Sequence, residues 1–322
     1  MSQQFKRKAS LLVVKPSVKV DLLPLNLQEE AIDLSEMHFQ FSTKNQDEEG
    51  PANCSVRVFN LSQSTVEKLI KYDYSRVIVQ AGYEGQFGVI FDGNIKQFRT
   101  GRVSAVDTYL DILAADGDLG YNFAVSNATV AAGSSPAQRR DAIMQSFDKY
   151  GITMGKDLSE TGGTLPRGKV LFGMGRTLMR DEVESRGATW SIQNGKVNII
   201  PLDGYLPGEA VRLTTLTGLV GIPEQTQDGI KVRCLLNPKI VVGGRIQLDN
   251  KSINQTIQQD PQAAPIPFNQ WANPQFLAKT ANDGFYRVYV AEHEGDTRGQ
   301  AWYSDLVCLA IDSSSGKVKP YG

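Results

Sequence analysis

Alternating apolar and polar residues predict β-strands across the first 115 residues. Four segments place apolar side chains on one face and polar side chains on the other: residues 55–61, 76–83, 89–94 and 105–115. In the last of these, Val106 is expected on the buried face. A short helix follows the first segment, with Ser64 and Glu67 as its capping box, and the Asp92-Gly93 pair predicts a turn. The pattern predicts a half-buried antiparallel sheet, curled into a barrel or sandwich.

The middle of the chain has helical periodicity. Ser135 and Pro136 predict a helix start, because a serine oxygen caps free N–H groups and proline lacks the donor that would be unpaired there. The apolar residues of this helix recur at helical spacing, at Ile143, Phe147 and Tyr150. Gly151 can end it in a left-handed conformation. The Gly-, Thr- and Ser-rich stretch 157–168 predicts a mobile loop, and a second helix is expected over 177–186, ended by Gly187.

Residues 189–200 carry a strong local signal for a β-hairpin. Asn194 and Gly195 tolerate the positive φ angles of a type I′ turn. The flanking residues alternate, so that Trp190 and Ile192 are expected to face the same side as Val197 and Ile199.

The last third returns to strand patterns. Strands are predicted over 230–236, 240–248, 285–291 and 304–311, with a turn or bulge at Gly243-Gly244. The Gln- and Pro-rich segment 254–274 predicts an irregular loop, and the polar stretch 292–303 is expected to join the last two strands. Strands grouped apart from helices favour an α+β, mainly β fold with antiparallel sheets over a doubly wound parallel sheet.

Composition narrows the class of protein. The 322 residues are 41% hydrophobic and 21% charged, which is typical of a chain that buries a core. The net charge of -1 does not indicate attraction to nucleic acid or anionic membranes. Cys54, Cys234 and Cys308 are far apart and lie in apolar strand-like runs, so buried free thiols are expected instead of disulfides or a zinc site.

The start of the chain is basic and then apolar, as in a signal peptide. Its apolar run, residues 11–14, is too short for one and is interrupted by Lys15 and Pro16. No stretch approaches the ~18–20 apolar residues of a membrane span. These features predict folding in a reducing cytoplasm.

Catalytic motifs are weak. There are two histidines, His38 and His293, and the sequence lacks HExxH, GxSxG and DxDxDG patterns. The segment 163–169, GTLPRGK, fits GxxxxGK, but Val170 replaces the hydroxyl residue that would contact magnesium, and a polar segment replaces the preceding strand. Nucleotide binding is therefore not predicted.

Acidic residues form two clusters. Glu292, Glu294 and Asp296 flank His293, and paired carboxylates are what a glycosidase would need, although a solvated turn with Arg298 pairing to Asp296 is favoured. The cluster Asp47-Glu48-Glu49 is interpreted as a solvated loop, with a weak cation site or an acidic rim as alternatives. The tryptophans, at positions 190, 271 and 302, are scattered and not interleaved with basic residues. We therefore predict a non-enzyme with no catalytic, cofactor-binding or metal-binding residues, no cofactor and no small-molecule substrate.

Two stretches, 187–237 and 284–310, are similar to the tail hub proteins of bacteriophages, the family that includes the baseplate hub of Mu-like contractile tails. Their motifs follow in the order GATW…NG…LPG, TGLVGIPE, GIKVRCLLNP and HEGDTRGQAWYSDL. Nearer the start, GPANCSVRVFNLS, VQAGY and IFDGNI resemble the first domain of the family. None of these motifs is catalytic, so their specificity comes from co-occurrence and order.

The resemblance implies two tube-like antiparallel β-barrel domains, 1–115 and 206–322, around a helical and hairpin middle domain, 116–205. It implies a homotrimer whose pseudo-sixfold face meets the hexameric tail tube and whose threefold face holds the trimeric central spike. Baseplate wedge or tape-measure proteins are further expected partners, and DNA would pass along an axial channel without specific binding. The implied location is the virion tail baseplate, after assembly in the host bacterial cytoplasm, and a contractile tail is favoured.

Two other functions stay open at this point. The polar segment 254–274 suits a tail-tip receptor-binding protein, and the acidic cluster around His293 suits a peptidoglycan hydrolase.

Overall fold

The computed structural model describes residues 6–15, 31–47, 50–71, 74–159, 162–226, 229–249, 253, 284–311 and 317–318. Strands form most of the first and last regions, and three of the four helices found within these ranges lie in the middle. This order confirms the predicted α+β, mainly β class. The predicted receptor-binding segment 254–274 lies outside the described residues.

The first region contains β1 (Arg7–Val14), β2 (Ala31–Asp33), β3 (Phe39–Gln46), β4 (Asn53–Phe59), α1 (Gln63–Lys71), β5 (Arg76–Tyr83), β6 (Gln86–Arg102) and β7 (Thr108–Ala115). The predicted turn at Asp92 is wrong, because β6 continues through it and Asp92 accepts two hydrogen bonds from Arg76. The predicted cap is also wrong, since Ser62, not Ser64, accepts the N–H of Thr65 at 3.2 Å. Val106 is 84% exposed in the turn between β6 and β7, not buried.

The middle region contains α2 (Asp118–Phe123), β8 (Val125–Val130), α3 (Pro136–Asp148), β9 (Thr153–Asp157), β10 (Lys169–Met174), α4 (Gly175–Glu184), β11 (Ala188–Gln193) and β12 (Lys196–Pro201). Ser135 caps α3 in a reciprocal capping box with Gln138. Gly151 and Gly187 adopt positive φ angles of 74° and 65° just after α3 and α4. The hairpin is confirmed, with Trp190 opposite Ile199 across β11 and β12.

The last region contains β13 (Val211–Arg212), β14 (Leu219–Thr226), β15 (Gly229–Leu235), β16 (Arg245–Gln247), β17 (Phe285–Asp296) and β18 (Trp302–Ala310). Only residues 245–247 of the predicted strand 240–248 are extended, after a turn at Gly243. The polar stretch 292–303 is not a connection as predicted. Its first half continues β17 to Asp296. Along this part of the strand the side chains alternate, with Glu292 and Glu294 facing outward and His293 buried in the core.

One sheet of thirteen strands joins the first and last regions. Its main path runs β14-β15-β18-β17-β3-β4-β7-β6-β5-β1-β2, and every neighbouring pair along this path is antiparallel. The two regions meet where β3 pairs with β17, and His293 lies opposite Thr43 there. The sheet is thus continuous from one region to the other. The domain boundaries at 115 and 205 stay predictions.

Three hydrophobic clusters support this arrangement. The first lies under the strands of the first region, but it includes Trp302 and Leu236 from the last region. The second packs β15, β17 and β18 against residues 240–248, and the third lies between α3, α4 and the β11–β12 hairpin around Trp190. Because the first cluster draws residues from both ends of the chain, the two sheet halves share part of one core.

A buried ion pair links all three regions. Arg287 of β17 is 2% exposed and Asp47, just after β3, is 3% exposed, and their side chains are hydrogen-bonded. Thr189 of β11 donates to the same carboxylate at 3.2 Å. The Arg287 guanidinium also donates to three backbone carbonyls between positions 201 and 204. The expectation that Asp47 lies in a solvated loop is wrong, and its neighbours Glu48 and Glu49 lie outside the described residues.

A second buried carboxylate fixes the tip of the hairpin. Asp116, directly after β7, accepts the N–H of Gly195 at 2.9 Å. Burial raises the pKa of Asp116 to about 7, although the backbone N–H groups of Asn194 and Gly195 act in the opposite direction.

Replacing Arg287 with Met should destabilise the protein strongly, because the Asp47 carboxylate would stay buried without its cation. Loss of one partner of a buried ion pair costs about 3–5 kcal/mol in free energy of unfolding. The double variant Arg287→Met/Asp47→Leu should lose less than the sum of the single variants, as measured by urea unfolding. The control is Arg233→Met, whose pair with Asp305 is half-exposed, so about 1 kcal/mol or less is expected. Equal losses for Arg287→Met and Arg233→Met would contradict the central role of this pair.

Asp116 should make stability depend on pH. Because the pKa of Asp116 is raised in the folded protein, the stability that its protonated form contributes to the free energy of unfolding is fully present below pH ~4. This stability is lost as the pH rises to about 7. Asp116→Asn keeps the acceptor oxygen without the charge, so it should gain stability relative to the wild type between pH 4 and 8. The gain is at most roughly 4 kcal/mol, at 1.4 kcal/mol per unit of pKa. The control Asp107→Asn, at an exposed turn, should show no such gain in the same unfolding experiments. If the stability difference between Asp116→Asn and the wild type did not change with pH, the raised pKa of Asp116 would be refuted.

Candidate functional site

The outward face of the large sheet is polar over eight strands, from β14 to β6. Directly opposed residues in neighbouring strands point to the same side, so the register determines which side chains share this face. The charged members of this polar sheet face are Lys44, Arg57, Arg99, Asp111, Glu224, Lys231, Arg233, Glu292, Glu294, Asp296 and Asp305. They comprise five cations and six carboxylates, so the polar sheet face is close to neutral.

Ion pairs across neighbouring strands neutralise most of these charges. Three pairs each have a nitrogen–oxygen distance of 2.7 Å: Lys44 with Glu292, Arg57 with Asp111, and Arg233 with Asp305. The two arginine pairs are bidentate, and each guanidinium also lies over a tyrosine ring. Such pairs fix side-chain positions and leave few cations available for an external anion.

The candidate hydrolase residues are divided between the two faces of β17. Glu292 and Glu294 lie on the polar sheet face, and the Glu292 carboxylate is bound to Lys44. His293 points into the core, where its Nδ1 lies 2.7 Å from the Ser304 hydroxyl, and burial lowers its pKa to about 4. The structure therefore does not bring this histidine together with the neighbouring carboxylates.

Asp296 is held at the end of β17 by hydrogen bonds. Burial alone would raise its pKa, but donors from Gln40, His38 and the backbone N–H groups of Arg298 and Gly299 lower it to about 2. The predicted partner Arg298 thus contributes its backbone N–H to this carboxylate. A carboxyl group with this pKa is ionised at neutral pH and is not suited to act as a general acid.

The other singled-out residues have structural roles. Lys169 of the GTLPRGK segment begins β10, so a strand stands where a phosphate loop needs a helix. Trp190 and Trp302 are buried, and the Trp302 indole donates to the carbonyl of Gly82, while Trp271 lies outside the described residues. The three cysteines are buried free thiols, as predicted, and burial raises the pKa of each.

The described ranges contain neither a membrane-spanning helix nor a cluster of metal ligands. No helix there combines the length and apolar character needed to cross a membrane. No group of three or more His, Cys, Asp or Glu side chains in those ranges is arranged to hold a metal ion.

The polar sheet face ends at two strand edges. On one side lies the β14 edge, residues 219–226, which pairs with β15 and with no other described strand. On the other side lies the β6 edge, residues 97–102, where β6 pairs with β7 but extends beyond the part paired with β5. An unpaired strand edge presents backbone donors and acceptors to another chain.

The sequence pattern assigned several members of the polar sheet face to outward positions, but not their partners. Arg57, Asp111 and Arg233 alternate with apolar neighbours, and this alternation is the signal that marks them. Lys44 and the continuous face were missed, because β3 had no assigned strand and its pairing with β17 joins distant parts of the sequence.

No family model and no curated protein matches the sequence. Solved structures do match the fold. The 43 kDa tail protein of prophage MuSo2 from Shewanella oneidensis is 7% identical, with a TM-score of 0.56, and the alignment covers 95% of this chain and 98% of that one. A tail protein from Neisseria meningitidis MC58 is 8% identical, with a TM-score of 0.55 and coverage of 94% and 96%.

A third similar structure is the E. coli c3393 protein, described as a component of the type VI secretion system with structural similarity to the T4 bacteriophage tail proteins gp27 and gp5. It is 9% identical, with a TM-score of 0.50, and the alignment covers 88% of this chain and 76% of that one. The likeness to phage tail proteins that the sequence motifs indicate is therefore confirmed at the level of the fold.

Proposed function

We propose that this protein is a structural component of a phage tail baseplate: a homotrimeric hub that joins the hexameric tail tube to the trimeric central spike around an axial DNA channel. The observation that carries the proposal is the polar sheet face, which is continuous across both sheet halves and nearly neutral. The full-length likeness to two phage tail proteins supports the same class of function.

The polar sheet face has the properties required of a channel wall. Duplex DNA binds proteins mainly through cations that neutralise its phosphates, and each such contact would slow its passage. Arg57 and Arg233 are engaged in bidentate ion pairs, and carboxylates slightly outnumber cations on this face. DNA would therefore slide along this face without being held.

The continuity of the sheet suits a rigid symmetry adaptor. Each copy contributes two sheet halves joined at β3 and β17, so three copies present six halves to a sixfold tube. The shared core residues Trp302 and Leu236 prevent the halves from moving independently. A ring of three such copies would match a sixfold partner on one side and a threefold spike on the other.

The partners follow from this role as part of the proposal: the tail tube protein, the central spike, and wedge or tape-measure proteins of the baseplate. The similarity of the c3393 protein to gp27 and gp5, as its description states, supports a place near the spike. We place the protein in the virion tail baseplate, assembled in the host cytoplasm.

The hub proposal predicts a trimer. Light scattering coupled to size-exclusion chromatography should give three times the 35.3 kDa chain mass for the protein alone, or a complex that contains three copies of the chain when tube and spike proteins are added. Electron microscopy of the particle should then show a central channel lined by the polar sheet face. A monomer that persists in the presence of both partners would refute the proposal.

The channel-wall assignment predicts that added cations retain DNA. Glu294→Lys together with Ser55→Lys places two lysines on the polar sheet face, so salt-sensitive binding to duplex DNA should appear in fluorescence anisotropy. The wild type should bind weakly. The control, Glu84→Lys with Thr215→Lys, makes the same change in net charge at exposed sites outside the eight strands of this face. Equal binding by the control variant would show that total charge, and not the face, determines DNA retention.

A further inference from the structure

We propose that the open edge of β10 is a docking site for an extended strand of another protein, one that alternates large apolar residues with carboxylates. The inference goes beyond the proposed function, because it concerns the middle region and not the polar sheet face. It identifies the partner by its chemistry: an apolar side chain placed beside Phe172 and a carboxylate placed beside Lys169.

The docking site lies on a small sheet that is separate from the large one. β8 and β10 pair only with each other among the described strands. The inner face of this sheet packs on the helices, because Val130 and Leu171 belong to the same buried cluster as residues of α3 and α4. A two-stranded sheet is only marginally stable in water, so a third strand would stabilise it.

The outer face of the small sheet carries large apolar side chains in contact with solvent. On β10, Phe172 is 71% exposed and Val170 is 66% exposed. Val125 at the start of β8 and Phe123 just before it are also exposed. Several large apolar side chains together on one small face are typical of an interaction surface.

The backbone of β10 is available on the side away from β8. The N–H of Gly175 donates to the carbonyl of Ala124 at 2.8 Å, so these two residues form a hydrogen-bonded pair. Such pairs alternate along an antiparallel ladder, and the N–H and C=O groups of Val170 and Phe172 therefore point away from β8. The residues with the most exposed apolar side chains are thus also the residues that present their backbone to an incoming strand.

The charges on the small sheet and its flanking segments have one sign. Residues 123–135 and 162–176 contain no carboxylate and three cations: Arg167, Lys169 and Arg176. Arg167 and Lys169 are exposed at the start of β10, and neither forms an ion pair with a described residue. A partner with carboxylates is complementary to this edge, whereas a second copy of the chain would place cations against cations.

The open backbone favours a protein partner over a lipid surface. An apolar face with cations would also suit an anionic membrane. The hydrocarbon of a bilayer has no donors or acceptors for the edge of β10, whereas an added strand pairs with this edge. Lys169 lies on the opposite face of β10 from Val170 and Phe172, so a strand that matches all three alternates acidic and apolar residues.

Two peptides test the side-chain pattern. The probe is a short labelled peptide that alternates Glu with Val and Phe, and its matched control replaces each Glu with Lys. Fluorescence anisotropy with the full-length protein should show binding of the glutamate peptide about tenfold tighter than that of the lysine peptide. Val170→Ser with Phe172→Ser should weaken this binding by roughly tenfold or more. Ile70→Ser with Leu216→Ser, which changes exposed apolar residues of other elements, should leave it intact.

Methylated peptides test the strand pairing itself. In an added strand every second amide faces β10, and the other amides face away from it. Of two glutamate peptides, each N-methylated on one of the two alternating sets of amides, only one should therefore bind. The charge reversal Arg167→Glu with Lys169→Glu should make the protein prefer the lysine peptide.

Other occupants of this surface give different results. Binding to phosphatidylserine vesicles that Phe172→Ser abolishes, without binding of the peptide, would identify a lipid surface and overturn the proposal. Self-association that Val170→Ser with Phe172→Ser abolishes would identify a second copy and overturn it as well. The proposal also fails if the glutamate peptide does not bind at about millimolar concentration, or if both methylated peptides or neither of them bind. The hub proposal is independent of these results, because it is tested by the mass of the assembled protein.

Discussion

The buried contact between Asp47 and Arg287 is the interaction on which the arrangement of this chain depends. Asp47 follows β3 in the first region, Arg287 lies in β17 of the last, and both bind the segment around β11 and β12. Two buried charges are stable only when nearly all of their hydrogen-bonding groups have partners. The three regions therefore have few alternative arrangements around this site. The pairing of β3 with β17 is thereby fixed at one end by a polar contact of high specificity, and the shared apolar core supplies the bulk of the stabilisation.

The continuous sheet that results has one buried face and one solvent-exposed face. The buried face contains the three thiols and Trp302. The exposed face carries charged side chains of both signs that pair across neighbouring strands. A sheet with only one buried face must alternate strictly, so the polar sheet face is a direct consequence of the packing beneath it. The same alternation determines both the stability of the sheet and the charges that its polar face presents.

Local signals predicted some local elements correctly, although the cap at Ser64 and the turn at Asp92 were wrong. Asn194 and Gly195 specified the hairpin, and Ser135 with Pro136 specified the start of α3, because each depends on backbone geometry within a few residues. Other errors came from contacts between residues far apart in the sequence. Asp47 was assigned to solvent because its cation lies 240 positions away, and β17 was cut short because its acidic residues face outward opposite β3 and β18. The candidate site shows the same difference between local and distant information. Alternation along a strand identifies an outward arginine, but only the pairing register identifies its partner, which lies 54 positions away for Arg57 and 72 for Arg233.

Within the described residues, the large sheet ends at strand edges that no other described strand covers. The strands between β15 and β7 are paired on both sides, whereas β14 and residues 97–102 of β6 each lack a described partner on one side. Natural sheets protect such edges with proline, bulges and charge, and here Pro223 and the adjacent bulge shorten the available part of one edge. The same proline and bulge that prevent unspecific pairing also restrict a specific partner strand to one register. A ring of identical copies, as proposed above, would offer each of these edges a partner strand.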